Sequence, residues 1–141
     1  MASSMGKFVV DTSAVLHLVR ARGPLAARHK LLAPTLLRSQ TLSAMHEAVH
    51  RGELSVDAAR EQLGRIGQMP IRLLGDAVLR RRAWDLADQL GWASTYEAEY
   101  LALTQLQADA FVTMDAKLAR KVRGIVTIAS INELMAPGRR Q

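Results

Sequence analysis

Asp11 stands at the end of the apolar run Phe8-Val9-Val10 and opens Thr12-Ser13-Ala14, and Asp115 closes Ala110-Phe111-Val112-Thr113-Met114 ahead of Ala116-Lys117-Leu118. In α/β folds, ligands bind beyond the carboxyl ends of the strands. Two carboxylates delivered there by separate strands can share a hard divalent cation, whose chemistry is to activate a bound water and to stabilise negative charge. Each acid taken alone also suits the N-cap of the helix that follows it, since Asp is among the preferred capping residues. The chemical reading therefore rests on the set of residues and not on either acid.

The elements that must position these acids follow from periodicity. Short apolar runs at Lys7–Val10, Leu31–Ala33, Ile71–Leu74, Ala110–Met114 and Ile125–Ile128 read as strands. Helical spacing covers Thr12–Arg20, and Pro24 starts a further helical turn toward His29. A longer helix runs from Thr35 to a stop at Arg51-Gly52, and Ser55 opens another that reaches Gly64 or Gly67. Asp76 caps a helix that ends at Gly91-Trp92, Ser94 or Thr95 caps the next, and Asp115–Val122 is short and helical. A turn at Asn132–Met135 closes the pattern.

Strands alternating with helices predict an α/β fold, a three-layer α/β/α domain around a parallel sheet of four or five strands joined by right-handed crossovers. The 141 residues make one domain, 1–141, with residues 1–6 and 136–141 as flexible ends.

The chain has no cysteine, which removes disulfides and thiolate metal sites and leaves oxygen and imidazole as ligands. No apolar run approaches the roughly 20 residues that cross a bilayer, and no signal segment precedes Lys7, so a cytoplasmic, non-membrane protein is expected. Lys and Arg number 19 against 13 Asp and Glu, a net charge of +6 that suits a polyanionic partner.

Four segments in order carry a family resemblance: Val9-Val10-Asp11-Thr12-Ser13-Ala14, Ala33-Pro34 before a helix, Thr95-Tyr96-Glu97-Ala98-Glu99-Tyr100-Leu101-Ala102-Leu103-Thr104, and Phe111-Val112-Thr113-Met114-Asp115-Ala116-Lys117-Leu118. From about Lys7 to about Leu134 the chain resembles the PIN-domain ribonucleases, and within them the VapC-type toxins of toxin–antitoxin pairs. The resemblance implies an acidic quartet at the carboxyl edge of the sheet that holds one or two Mg²⁺ or Mn²⁺ ions for RNA hydrolysis. It puts the catalytic positions at Asp11, Gln40, Glu97 and Asp115, with Asp11, Glu97 and Asp115 as metal ligands. It also implies an RNA substrate, a small VapB-like antitoxin and a homodimer.

Two of these positions depart from the family pattern. Glu97 stands where Asp is usual and reaches one methylene further. Gln40 stands where Glu is usual; its amide oxygen can ligate a hard cation or orient a water, but it cannot act as a general base. Glu47, seven residues on, lies about 10 Å further along the helix axis and does not replace it.

Thr12, Ser13 and Thr113 flank the acids and offer hydroxyls to a carboxylate or a phosphate. Lys117 and Arg120, with Lys121 and Arg123, follow Asp115 within reach of an RNA backbone, and Arg80-Arg81-Arg82 makes a second basic cluster. His17, His29, His46 and His50 form no ligand pattern. The expected function is a metal-dependent endoribonuclease, the toxin of a VapBC-type module. One alternative is a weakly active or inactive PIN domain that works by RNA or antitoxin binding because of Gln40. Another is a receiver-like signalling domain, against which stand the single acid at the end of the first strand and Gly75 after the third.

Overall fold

The computed structural model describes residues 6–21, 23–26 and 28–135. The expected flexible ends fall outside that range except for Gly6. Its N–H donates to His29 Nδ1 (3.1 Å) and its carbonyl accepts from Lys30 N (2.8 Å), so the first strand is anchored one residue earlier than expected.

Four strands form the sheet: β1 (Lys7–Val10), β2 (Lys30–Pro34), β3 (Ile71–Leu74) and β4 (Ala110–Val112). Every pairing is parallel and the order is β3-β2-β1-β4. Six helices accompany them: α1 (Thr12–Ala21), α2 (Leu36–His50), α3 (Val56–Gln68), α4 (Ala77–Leu90), α5 (Tyr96–Gln107) and α6 (Ala116–Val122), before a 3₁₀ turn at Ile131–Leu134. Helix α1 packs on β1 and against α2 and α3, whereas α5 lies across β1, β2 and β4 and against α4. The result is a three-layer α/β/α fold.

Strands buried on both faces read as continuous apolar runs because helices cover both sides of a parallel sheet. Val9, Val10, Ala33 and Val112 are wholly removed from solvent. Helix α5 has no polar stripe along its middle; Ala98, Leu101, Ala102 and Leu103 are all buried, as a helix that crosses three strands requires. Its small residues let the helix sit close to the sheet.

The helix ends behave as the sequence predicts. Ser55 Oγ accepts from Ala58 N (3.1 Å) and Asp76 Oδ1 from Leu79 N (2.8 Å), while Gly91 ends α4 at a φ of 70°, a left-handed conformation that glycine adopts without strain. At α5 the choice falls on Ser94, whose Oγ accepts from Tyr96 N (3.2 Å); Thr95 makes no side-chain cap.

Three expectations need correction. The turn after Pro24 is not helical: Leu25 forms an antiparallel bridge with Met135 instead. Strand β4 stops at Val112, since Thr113 turns its hydroxyl to Asp11 and the backbone leaves the sheet. Ile125–Ile128 is not a fifth strand. It contributes one parallel bridge, Phe111 with Ile128, because only Phe111 N and O find partners there, Thr127 O (2.8 Å) and Ala129 N (3.0 Å).

The chain runs outward from β1 to β2 to β3, then returns over the opposite face through α4 and α5 to place β4 on the free side of β1. The strand order therefore reverses between β1 and β4, which is where an open α/β sheet leaves a crevice. A receiver-like domain would carry its third strand beside the first. Here β3 is the outer strand and is followed by Gly75, an arrangement that differs from the receiver order. No helix among the described residues is long and apolar enough to cross a membrane.

Candidate metal and phosphate site

Strand register places the first acid. Val10 pairs with Val112, and Asp11 N donates to Val112 O (3.3 Å), so Asp11 and Thr113 emerge side by side at the crevice. Thr113 Oγ1 donates to Asp11 Oδ2 at 2.5 Å. Asp11 Oδ1 accepts from Ser13 Oγ (2.7 Å) and from Ala14 N (2.9 Å), the latter being the N-cap that the sequence suggests. Capping and chemistry are compatible here, because the two functions use the same buried carboxylate.

Ser13 is also a clip between the two strand ends. Its Oγ accepts from Met114 N (2.8 Å) and lies 3.2 Å from Thr113 Oγ1. Thr113 Oγ1 in turn accepts from Asp115 N (3.1 Å), which fixes where the second acid starts. Asp115 Oδ1 caps α6 by accepting from Lys117 N (3.0 Å) and Leu118 N (3.1 Å).

Burial pushes the Asp11 carboxyl above the ordinary carboxylate range, more than its bonds from Thr113, Ala14 and Ser13 pull it down, and the nearby Asp115 charge adds to the rise. No Lys, Arg or His among the described residues forms an ion pair with either Asp11 or Asp115. A desolvated carboxylate beside a second acid without a cation is a position that a positive ion would stabilise.

Asp11, Gln40, Glu97 and Asp115 line one cavity of about 160 Å³, with Thr12, Ser13, Tyr100, Phe111 and Leu118. Those four positions come from the residue after β1, from α2, from α5 and from the turn after β4. A larger hollow of about 760 Å³ lies at the start of α4 and the end of α5, but its acids are structural: Asp76 caps α4, and Asp109 Oδ2 accepts from Lys7 N at 2.8 Å. The smaller cavity is the one that gathers the residues singled out by sequence.

Within it the four residues are not equivalent. Gln40 Oε1 accepts from Tyr100 Oη (2.6 Å) and from Thr12 Oγ1 (3.4 Å), which occupies the oxygen that would otherwise ligate a cation. Burial drives the Tyr100 phenol well above its ordinary range, aided by the charges of Asp11 and Glu99, so Tyr100 remains a protonated donor. Glu97 turns to Lys121: Oε1 lies 3.4 Å from Nζ, with both side chains about half exposed. Lys121 Nζ also sits 4.6 Å from the centre of the Trp92 ring. No group of three Asp, Glu, His or Cys among the described residues stands at metal-ligating spacing.

The remaining candidates divide by place. Thr12, Ser13 and Thr113 are spent on Gln40 and Asp11 and act as supports of the acid cluster. Lys117 and Arg120 are exposed on α6 beside Asp115. Arg82 donates to Gln105 Oε1 (3.0 Å) on α5. Sequence reasoning passed over Tyr100, although its position three residues after Glu97 puts it on the same side of α5. A second hollow of about 530 Å³, lined by Leu16, His17, Arg20 and Met114, shares Ser13 with the acid cavity.

The acids that line the cavity are oxygen donors, the type a hard divalent ion takes, and Asp11 and Asp115 have no ion-pair partner among the described residues, but Glu97 borders the space without completing a set of three at ligating spacing. No family model matches the chain, and no curated protein does. Among solved structures it is similar to the crystal structure of PAE2754 from Pyrobaculum aerophilum, with a TM-score of 0.66 and 18% identity over 91% of this chain and 92% of that one, a likeness of fold.

Proposed function

We propose that the chain is a metal-dependent endoribonuclease of the PIN-domain, VapC toxin type. The observation that carries this reading is the cavity at the β1–β4 reversal, where the residues singled out by sequence, Asp11, Gln40, Glu97 and Asp115, meet from four separate elements. Asp11 and Asp115 would hold Mg²⁺ or Mn²⁺, with Glu97 as a third carboxylate. Bound there, the ion supplies an activated water and charge stabilisation at the scissile phosphate.

The chain's own residues do the positioning. Ser13 and Thr113 fix the Asp11 carboxylate through its two oxygens, and the N-cap bonds of α6 fix Asp115. Lys117 and Arg120 on α6, and Arg20 in the hollow that shares Ser13 with the acid cavity, would supply positive charge for the phosphate backbone. Val78, Trp84 and Tyr96, exposed on α4 and α5, supply apolar surface for a second copy and for a small antitoxin.

A second reading is a PIN domain that binds RNA or antitoxin with little or no turnover. Its support is specific: Gln40 cannot serve as a base, and its oxygen is already taken by Tyr100 and Thr12. The two readings separate on structured RNA incubated with Mg²⁺ or Mn²⁺, with wild-type chain, Gln40→Glu and Asp11→Asn assayed together. Cleavage by wild type that is lost in Asp11→Asn and in EDTA supports the nuclease. Cleavage by Gln40→Glu alone supports the second reading, and no cleavage by any of the three refutes the nuclease assignment.

A further inference from the structure

Glu97 borders the acid cavity, yet its carboxylate does not converge with Asp11 and Asp115. Its ion-pair partner among the described residues is Lys121. From the last turn of α6 its ammonium reaches back to Glu97 on α5 (3.4 Å) and rests 4.6 Å over the Trp92 ring, between α4 and α5. No other ion pair among the described residues touches the cavity lining.

We infer that Lys121 is a positioning residue: an internal counter-ion that holds Glu97 out of the cation site, so that Glu97 becomes a ligand only when a divalent ion takes it from the ammonium. This inference rests on the metal-site reading above. The physical requirements are met on both sides. An exposed pair of this kind is weak, which lets a doubly charged ion compete with it. The Trp92 face gives the ammonium a place to remain when Glu97 leaves, since a ring face attracts a cation without needing a carboxylate. Asp11 and Asp115 have no such internal cation, so they form the standing part of the site and Glu97 the conditional part.

The inference is tested by titrating Mn²⁺ calorimetrically into the wild-type chain, Lys121→Met, Glu97→Gln and the double variant, with thermal unfolding to confirm that each is folded. Removing the competitor makes Lys121→Met bind Mn²⁺ about threefold to tenfold more tightly, the range expected for loss of one exposed pair and one nearby positive charge. In the Glu97→Gln background Lys121→Met changes the affinity by less than half as much on a logarithmic scale. A second readout follows the tryptophan: in a Trp84→Phe chain, Mg²⁺ alters Trp92 emission, and Lys121→Met abolishes that change. Equal Mn²⁺ affinity in wild type and Lys121→Met overturns the inference while leaving the metal site in place. The same gain in the presence and absence of Glu97 also overturns it, because Lys121 then acts only through its general charge. If no variant binds Mn²⁺, the metal-site reading falls and this one with it.

Discussion

Replacing Thr113 by Val keeps the shape of the side chain and removes one hydroxyl, so it isolates what that hydroxyl does for Asp11. Thr113 Oγ1 donates to the buried Asp11 carboxylate at 2.5 Å and accepts from Asp115 N at 3.1 Å. A hydrogen bond to a charged group contributes about 1.5–3 kcal/mol and a neutral one about 0.5–1.5. Asp115 is exposed, and its N–H recovers water when Thr113 is lost; Asp11 is only 9% exposed and does not. The expected cost at pH 7 is therefore about 2 kcal/mol, near the middle of the charged-bond range. The assay is urea unfolding of wild type, Thr113→Val, Asp11→Asn and the double variant, which form a mutant cycle. Because the Thr113 bond favours the ionised form of Asp11, the cost shrinks as pH falls through the raised Asp11 pKa and the carboxyl becomes neutral. A cost below about 0.5 kcal/mol, the scatter of ordinary surface changes, refutes the reasoning. So does a cost that is the same at pH 7 and pH 4, or one that adds independently to that of Asp11→Asn.

Asp11→Asn itself should stabilise the fold at neutral pH. Burial raises the Asp11 pKa, so the native state favours the protonated form and loses stability as pH rises through that value; the gain appears above it and vanishes below, as measured by the urea midpoint across pH. Phe111→Ala should cost about 3–5 kcal/mol, because the ring is 1% exposed in the core directly beneath the acids, and differential scanning calorimetry reads the loss. Gly91→Ala should cost about 1 kcal/mol in urea unfolding, since φ there is 70° and a Cβ makes that conformation strained whatever the surrounding space. Asp115→Ala should remove the α6 cap at a cost of about 1 kcal/mol and also abolish Mn²⁺ binding, two readouts that Asp115→Asn, which can still cap, separates.

The parts of this fold that were legible in the sequence are those set by local rules. Phe8-Val9-Val10 and Phe111-Val112 are buried on both faces and read as such, and Ser55, Asp76 and Gly91 do at the helix ends what their chemistry favours. Ile125–Ile128 misled because an apolar run states only that residues are buried; whether they extend the sheet depends on the geometry with which they meet Phe111. The meeting of Asp11 with Asp115 was legible because both close strands that feed helices. Gln40 and Glu97 were expected beside them from the family resemblance, but the partners that hold those two, Tyr100 and Lys121, were not. Gln40 and Tyr100 lie 60 residues apart, Glu97 and Lys121 lie 24 apart, and no periodicity links either pair. They are neighbours only because α2, α5 and α6 converge on the end of β1.

That convergence bears on when the acid cluster comes into being during synthesis. The bond from Thr113 to Asp11 spans 102 residues, and β4, which carries it into place, is the last strand of the sheet to be made. Chains are built from the N-terminus, and a contact between distant residues waits for the intervening segment to close. A nascent chain that has emerged only as far as α5 would hold Asp11 by its bonds from Ser13 and Ala14, without the one from Thr113 and without Asp115. The complete cluster is thus a late-formed feature, and any product truncated before Thr113 lacks both the Thr113 bond to Asp11 and the Asp115 carboxylate.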